Sequence, residues 1–136
     1  MKGIKLIDIP FAEDSRGFLS VVEQGKEIPF EIKRVFWIYG VAEKATRASH
    51  AHKELSQFIV APAGSFKVTL DDGEERVEFQ IDSPVKGLLI PRGVWISITD
   101  FSKDAVCMVA APGNYDLDEY ITDYDRFLKW KKEVSD

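Results

Sequence analysis

The stretch Ser49–Gly64, SHAHKELSQFIVAPAG, decides how this chain is read. Both histidines of the 136-residue sequence, His50 and His52, lie in it one residue apart. On a β-strand alternate side chains share a face, so the two imidazoles point the same way. Outward from this stretch the sequence breaks into short β-rich runs: GIKLIDI (3–9), GFLSVVE (17–23), IKRVFWIYG (32–40), SFKVTLDDG (65–73), ERVEFQI (75–81), GLLIPRG (87–93), VWISITDF (94–101) and AVCMVAA (105–111). Asp72-Gly73 is a strong hairpin signal, and Pro62-Ala63-Gly64, Asp82-Ser83-Pro84 and Pro91-Arg92-Gly93 punctuate the remainder. Short strands at this spacing predict a sandwich or barrel.

The tail has another rhythm. Leu117, Ile121, Tyr124 and Leu128 recur at helical spacing, with acidic residues early and Lys129, Lys131 and Lys132 late. This predicts a helix over about 116–133 that caps a barrel formed by about 1–112, the whole being one domain. Tyr120 or Tyr124 reaches a site only if that helix folds over the barrel mouth.

Composition narrows the functional classes. The formal net charge of −5 leaves no basic surplus for nucleic acid, although a local basic pocket for a small anion is compatible with it. The single Cys107, set in an apolar run, reads as a buried thiol, and one cysteine forms no disulfide within the chain. The N-terminus lacks the pattern of a signal peptide and no apolar run approaches membrane-spanning length. A cytoplasmic chain with no membrane partner is expected.

The histidine pair has three readings. From His52, four residues lead to Gln57 and six more to Gly64; further on, PRGVWI places Ile96 five residues after Pro91. This is the frame of the metal-binding cupin signature, but Gln57 stands where that signature has a carboxylate and Ile96 where it has a last histidine. Two donors remain, and first-row metals want three or four. The second reading is a pair of surface histidines bound to acidic neighbours. The third is metal-free acid/base work, since imidazole titrates near neutrality.

Several stretches together resemble the nucleotide-linked 4-keto-6-deoxyhexose 3,4-ketoisomerases, the WxcM-like sugar ketoisomerases with an RmlC-like cupin fold. They are DSRGFLSVVE (14–23), IPFEIKRVFWI (28–38), TRASHAHKELSQFIV (46–60), LDDG (70–73), DSPVKGLLIPRGVW (82–95), TDFSKDAVCMVAA (99–111) and YDLDEYITDYDRF (115–127). The resemblance implies an all-β double-stranded β-helix, or jelly roll, with a C-terminal capping helix, assembled as a homodimer. It also implies an isomerase that needs no cofactor and no metal. Its substrate would be thymidine-diphosphate (dTDP) 4-keto-6-deoxyglucose, whose ketone moves from C4 to C3 on the way to deoxyamino sugars of surface polysaccharides such as lipopolysaccharide O-antigen.

By the same resemblance His50 is the catalytic base, and His52 orients it or binds an oxygen of the intermediate. Arg34 and Arg47 are partners for the diphosphate or the enolate oxygen, because guanidinium holds oxyanions in a fixed fork. Arg16 lies at the ligand edge, Gln57 hydrogen-bonds ligand or histidine, and Trp95 stacks on base or sugar. Two positions depart from the family pattern. Phe36 stands where a tyrosine hydroxyl is expected beside Arg34, and Ile96 replaces a polar residue. By strand parity Trp37 and Tyr39 face away and do not replace that hydroxyl. These changes leave two alternatives beside the ketoisomerase: a dTDP-sugar-binding protein without catalysis, and a 3,5-epimerase acting on a related ketosugar.

Overall fold

The computed structural model describes residues 1–135, and its regular structure is mostly antiparallel strands. In chain order these are β1 (Lys5–Asp8), β2 (Phe11–Asp14), β3 (Gly17–Ser20), β4 (Arg34–Ile38), β5 (Arg47–His52), β6 (Gln57–Ala63), β7 (Phe66–Asp71), β8 (Arg76–Ile81), β9 (Lys86–Ile90), β10 (Trp95–Thr99), β11 (Val106–Ala111) and β12 (Tyr120–Ile121). One helix, α1 (Tyr124–Ser135), closes the chain.

The strands form two five-stranded sheets and a separate hairpin. The first sheet runs β1-β9-β6-β11-β4 and the second β12-β5-β10-β7-β8, while β2 pairs only with β3. The chain crosses between the sheets repeatedly, which is the double-stranded β-helix expected from the sequence. Alternation decides what lies between them. Ile59, Ala61, Leu88, Ile90, Cys107 and Val109 of the first sheet meet Phe66, Val68, Leu70, Ile96 and Ile98 of the second in one buried core. Cys107 is buried there, and burial pushes its thiol up to about 12.

Strand β6 is apolar on both faces because both are covered. Phe58 and Val60 point outward and pack with Ile9, Ile28 and Ala110 beneath the 21–32 segment. Gly87 is required here, since any Cβ at that position would collide with the Phe58 ring. The Asp72-Gly73 signal lies in the loop joining β7 to β8, where Gly73 takes φ +96° and Asp72 Oδ1 accepts the backbone N–H groups of Glu74 and Glu75.

The tail corrects the expectation of a helix from about residue 116. Leu117–Glu119 form a single 3-10 turn, Tyr120 and Ile121 pair with His52 and Ala51 of β5, and the helix begins only at Tyr124. The open edge of β5 offers backbone partners that a solvated helical turn does not, and this pairing overrides the local 3.6-residue pattern. Asp123 Oδ1 then caps the helix by accepting the Arg126 N–H. The helix does cap the barrel, but on the outer face of the second sheet, where Phe127 is buried with Ala51, Ile121 and Trp95.

Candidate active site

Between the two sheets a cavity of roughly 600 Å³ opens to the surface, lined in part by Phe36, Arg47, His50, Gln57, Ile96 and Tyr120. Small-molecule sites commonly fall in this range of sizes. Strand β5 carries the histidines to its wall, but not as a regular strand. Ala48 and Ser49 hold left-handed φ values of +68° and +59°, and the pairing with β10 shifts register there, with Ile96 opposite His50 and Ser97 opposite Ala48. This bulge re-aims the strand between Arg47 at the mouth and His50 inside. Strained non-glycine backbone of this kind is concentrated at functional sites.

Beyond the bulge the alternation resumes and the two imidazoles share a face, their centroids 5.0 Å apart and nearly perpendicular. They are not equivalent. His50 is half-buried and lines the cavity, whereas His52 lies behind it, only 2% exposed. The Gln57 side-chain amide nitrogen lies 2.9 Å from His52 Nε2 and so holds the second ring in place by a buried hydrogen bond. His52 Nδ1 is buried without a hydrogen-bond partner among the described residues.

Electrostatics favour a neutral pair. Burial, then the His50 ring and the Arg34 charge, bring His52 down to about 3. Burial also lowers His50, hydrogen bonding to the backbone at Ala48 opposes this, and Arg34 lowers it further. A cavity-facing imidazole held below its usual 6.5 is free to accept a proton at neutral pH.

Arg34 itself is arranged unusually. Its Nη1 donates to Tyr120 Oη at 3.2 Å, while its guanidinium carbon lies 5.4 Å from the Phe36 ring centroid and 5.9 Å from that of Tyr115. Its Nε and Nη2 are buried with no hydrogen-bond partner among the described residues. Tyr120 bridges this cation and the histidines, with ring centroids 4.8 Å from His50 and 4.6 Å from His52. The tail thus inserts a phenol into the site through β12, the contribution that sequence reasoning tied to a helix over the mouth. Adjacent Glu119 locks it in place: its Oε1 accepts the N–H groups of Glu54 and Leu55, and its backbone carbonyl accepts that of Lys53.

The structure therefore brings His50, His52, Gln57, Arg34 and Arg47 together, with Arg47 at the mouth and Arg34 a layer behind the wall. Trp95 and Arg16 lie elsewhere. Trp95 alternates with Ile96 on β10, so it faces outward beneath α1 and packs on Tyr124 and Phe127 rather than on a ligand. Arg16 sits at the tip of the β2–β3 hairpin, bound to Asp14, with a side chain 88% exposed. Phe36 and Ile96 both line the cavity, so the two apolar departures do fall in the site.

A double-stranded β-helix whose cavity wall presents a neutral imidazole, backed by a second, is a cupin-like protein with the means for proton transfer at carbon. The chain matches the family model FdtA: WxcM-like, C-terminal over residues 2–132, and it belongs to that family. It is 43% identical over 131 residues to the TDP-4-oxo-6-deoxy-alpha-D-glucose-3,4-oxoisomerase of Aneurinibacillus thermoaerophilus, covering 96% of this chain and 94% of that one. Among solved structures it superposes on a 3,4-ketoisomerase from Helicobacter canadensis with a TM-score of 0.93 at 38% identity, over 96% and 98% of the two chains. A histidine-to-asparagine variant of the 3,4-ketoisomerase QdtA from Thermoanaerobacterium thermosaccharolyticum, in complex with TDP-4-keto-6-deoxyglucose, gives a TM-score of 0.94 at 33% identity, over 98% and 96%.

Proposed function

We propose that this chain is a sugar 3,4-ketoisomerase that moves the ketone of TDP-4-keto-6-deoxyglucose from C4 to C3. The observation that carries the reading is His50, a neutral imidazole on the wall of a cavity sized for a small molecule. A hydrogen beside a ketone is acidic because the carbanion delocalises onto oxygen. His50 takes the proton from C3, the hydrogen on the resulting imidazolium exchanges with solvent, and His50 delivers one to C4 on the same face, so one base serves both carbons. Burial keeps the second imidazole, His52, neutral behind it, and so avoids a second positive charge that would oppose protonation of His50. Arg47 at the mouth suits the diphosphate.

Proton NMR of TDP-4-keto-6-deoxyglucose in D₂O tests the reading. The expected outcome is a 3-keto product with deuterium at C4. Unchanged substrate, with binding still visible by calorimetry, contradicts it and leaves a binding role. His50→Asn is expected to lower turnover by about 10²–10⁴-fold while binding persists.

The reading includes a homodimer. Phe18 (72% exposed) on the isolated β2–β3 hairpin and Trp37 (59%) on the edge strand β4 leave apolar surface that a second copy would cover. Arg16 at the hairpin tip would regain a place at the ligand edge only across such an interface. Sedimentation at micromolar concentration should report a dimer; a monomer there removes both the interface and the role for Arg16.

A further inference from the structure

We infer that Tyr120 carries the proton that passes between the two substrate oxygens, with Arg34 aiming its hydroxyl; the inference rests on the ketoisomerase reading above. A 3,4-carbonyl shift moves two protons. One travels from C3 to C4, the task given to His50. The other must leave O3 and arrive on O4, and it needs a group that can both give and take a proton, as a hydroxyl can.

Phe36 has no such group. Among the described residues, the hydroxyls on the cavity wall belong to Tyr39, Thr46 and Tyr120. Tyr39 and Thr46 are exposed at the open end, on the mouth side of the β5 bulge or beyond the end of β4. Tyr120 is half-buried and packs against the His50 ring at 4.8 Å, beside the atoms on which His50 would act.

Its hydrogen-bond geometry gives the direction. Arg34 Nη1 donates to Tyr120 Oη at 3.2 Å. Guanidinium has no acceptor, so the phenol's own hydrogen points away from Arg34 and remains available to a ligand. Two more Arg34 nitrogens, Nε and Nη2, are buried without a hydrogen-bond partner among the described residues, so Tyr120 Oη is the acceptor that fixes this guanidinium in the site. Glu119 fixes the approach by fastening the turn after His52 to the segment that carries Tyr120. Arg34 and Glu119 are positioning residues; only Tyr120 touches substrate.

The step balances. As His50 removes the C3 proton, that electron pair forms the C3=C4 bond and the C4=O pair moves to O4. Tyr120 gives its proton to O4 and takes one from O3. The O3 electrons then form the C3 carbonyl, and the C3=C4 pair takes the proton from His50 at C4. Both residues end as they began, and no oxidant is consumed.

Tyr120→Phe separates the two proton transfers while keeping the ring contacts with both histidines. In D₂O, NMR reads the entry of deuterium at C3 of unreacted substrate and, independently, the appearance of 3-keto product. Deuterium entry at C3 is expected to stay within about tenfold of wild type, while product formation falls about 10²–10⁴-fold. A parallel fall in both rates would mean that Tyr120 only shapes the site, and no fall in either would mean that another group carries the proton; each result overturns the inference. A wild-type protein that shows neither exchange nor product overturns the ketoisomerase reading itself, an outcome distinct from both.

Discussion

Two arginine–tyrosine pairs are completed by the same tail, four residues apart in sequence, and they are built to opposite plans. On the outer side, Tyr124 donates to Asp71 Oδ2 at 2.7 Å, and Arg76 reaches the same oxygen at 3.0 Å. The Gly73 N–H holds Asp71 Oδ1 at 2.7 Å. Burial raises the Asp71 pKa, but Tyr124, Gly73 and Arg76 together outweigh it and hold the carboxylate below its usual range. Every charge there has an answer. On the inner side, Arg34 meets Tyr120 and two neutral imidazoles, with no carboxylate among the described residues bonded to its buried nitrogens. A closed network stabilises; an open one is costly to bury and leaves its charge to act on the groups it faces.

Breaking each pair should have opposite consequences. Arg34→Gln is expected to lower kcat/KM by about 10²–10³-fold, the range seen when one donor to a developing oxyanion is removed. Its acid limb should also move to higher pH. His50 works as the neutral base, Arg34 holds its pKa down, and removing that charge lets it rise toward 6.5. The melting temperature should hold or rise, because an unanswered buried cation has been removed. Asp71→Asn should do the reverse, losing about 1–3 kcal/mol of stability in thermal melts with kcat/KM close to wild type. If Arg34→Gln destabilises the fold as much as Asp71→Asn does, the inner pair is structural too and the contrast collapses.

Much of this was legible in the sequence because it was local. Each of the β-rich runs contains a strand, and the shared face of His50 and His52, the adjacency of Arg34 and Phe36, and the buried Cys107 follow from period-2 alternation within single segments. What depended on distant pairing was not legible. Tyr120 enters the site because β12 finds the edge of β5, and the helical spacing of Leu117, Ile121, Tyr124 and Leu128 concealed this. A local signal did exist: Asp123, three residues before Arg126, is a good N-cap and places the helix start after Ile121. Trp95 was misplaced because parity relative to Ile96 says which residues share a face but not which face is inside. Strand β2 escaped because FAED, exposed throughout, has no buried face to impose alternation.

The account's central claim is that burial and the unanswered Arg34 charge keep both imidazoles neutral at physiological pH. Nitrogen-15 NMR titration of the imidazole side chains measures this directly, and with only His50 and His52 in the chain two ring systems need to be resolved. The account predicts that both titrate below 6.5, with His52 remaining neutral far below His50, toward about 3. An imidazole at position 50 that is still protonated above pH 6.5 would contradict it, because the proposed base would then carry its proton before substrate arrived.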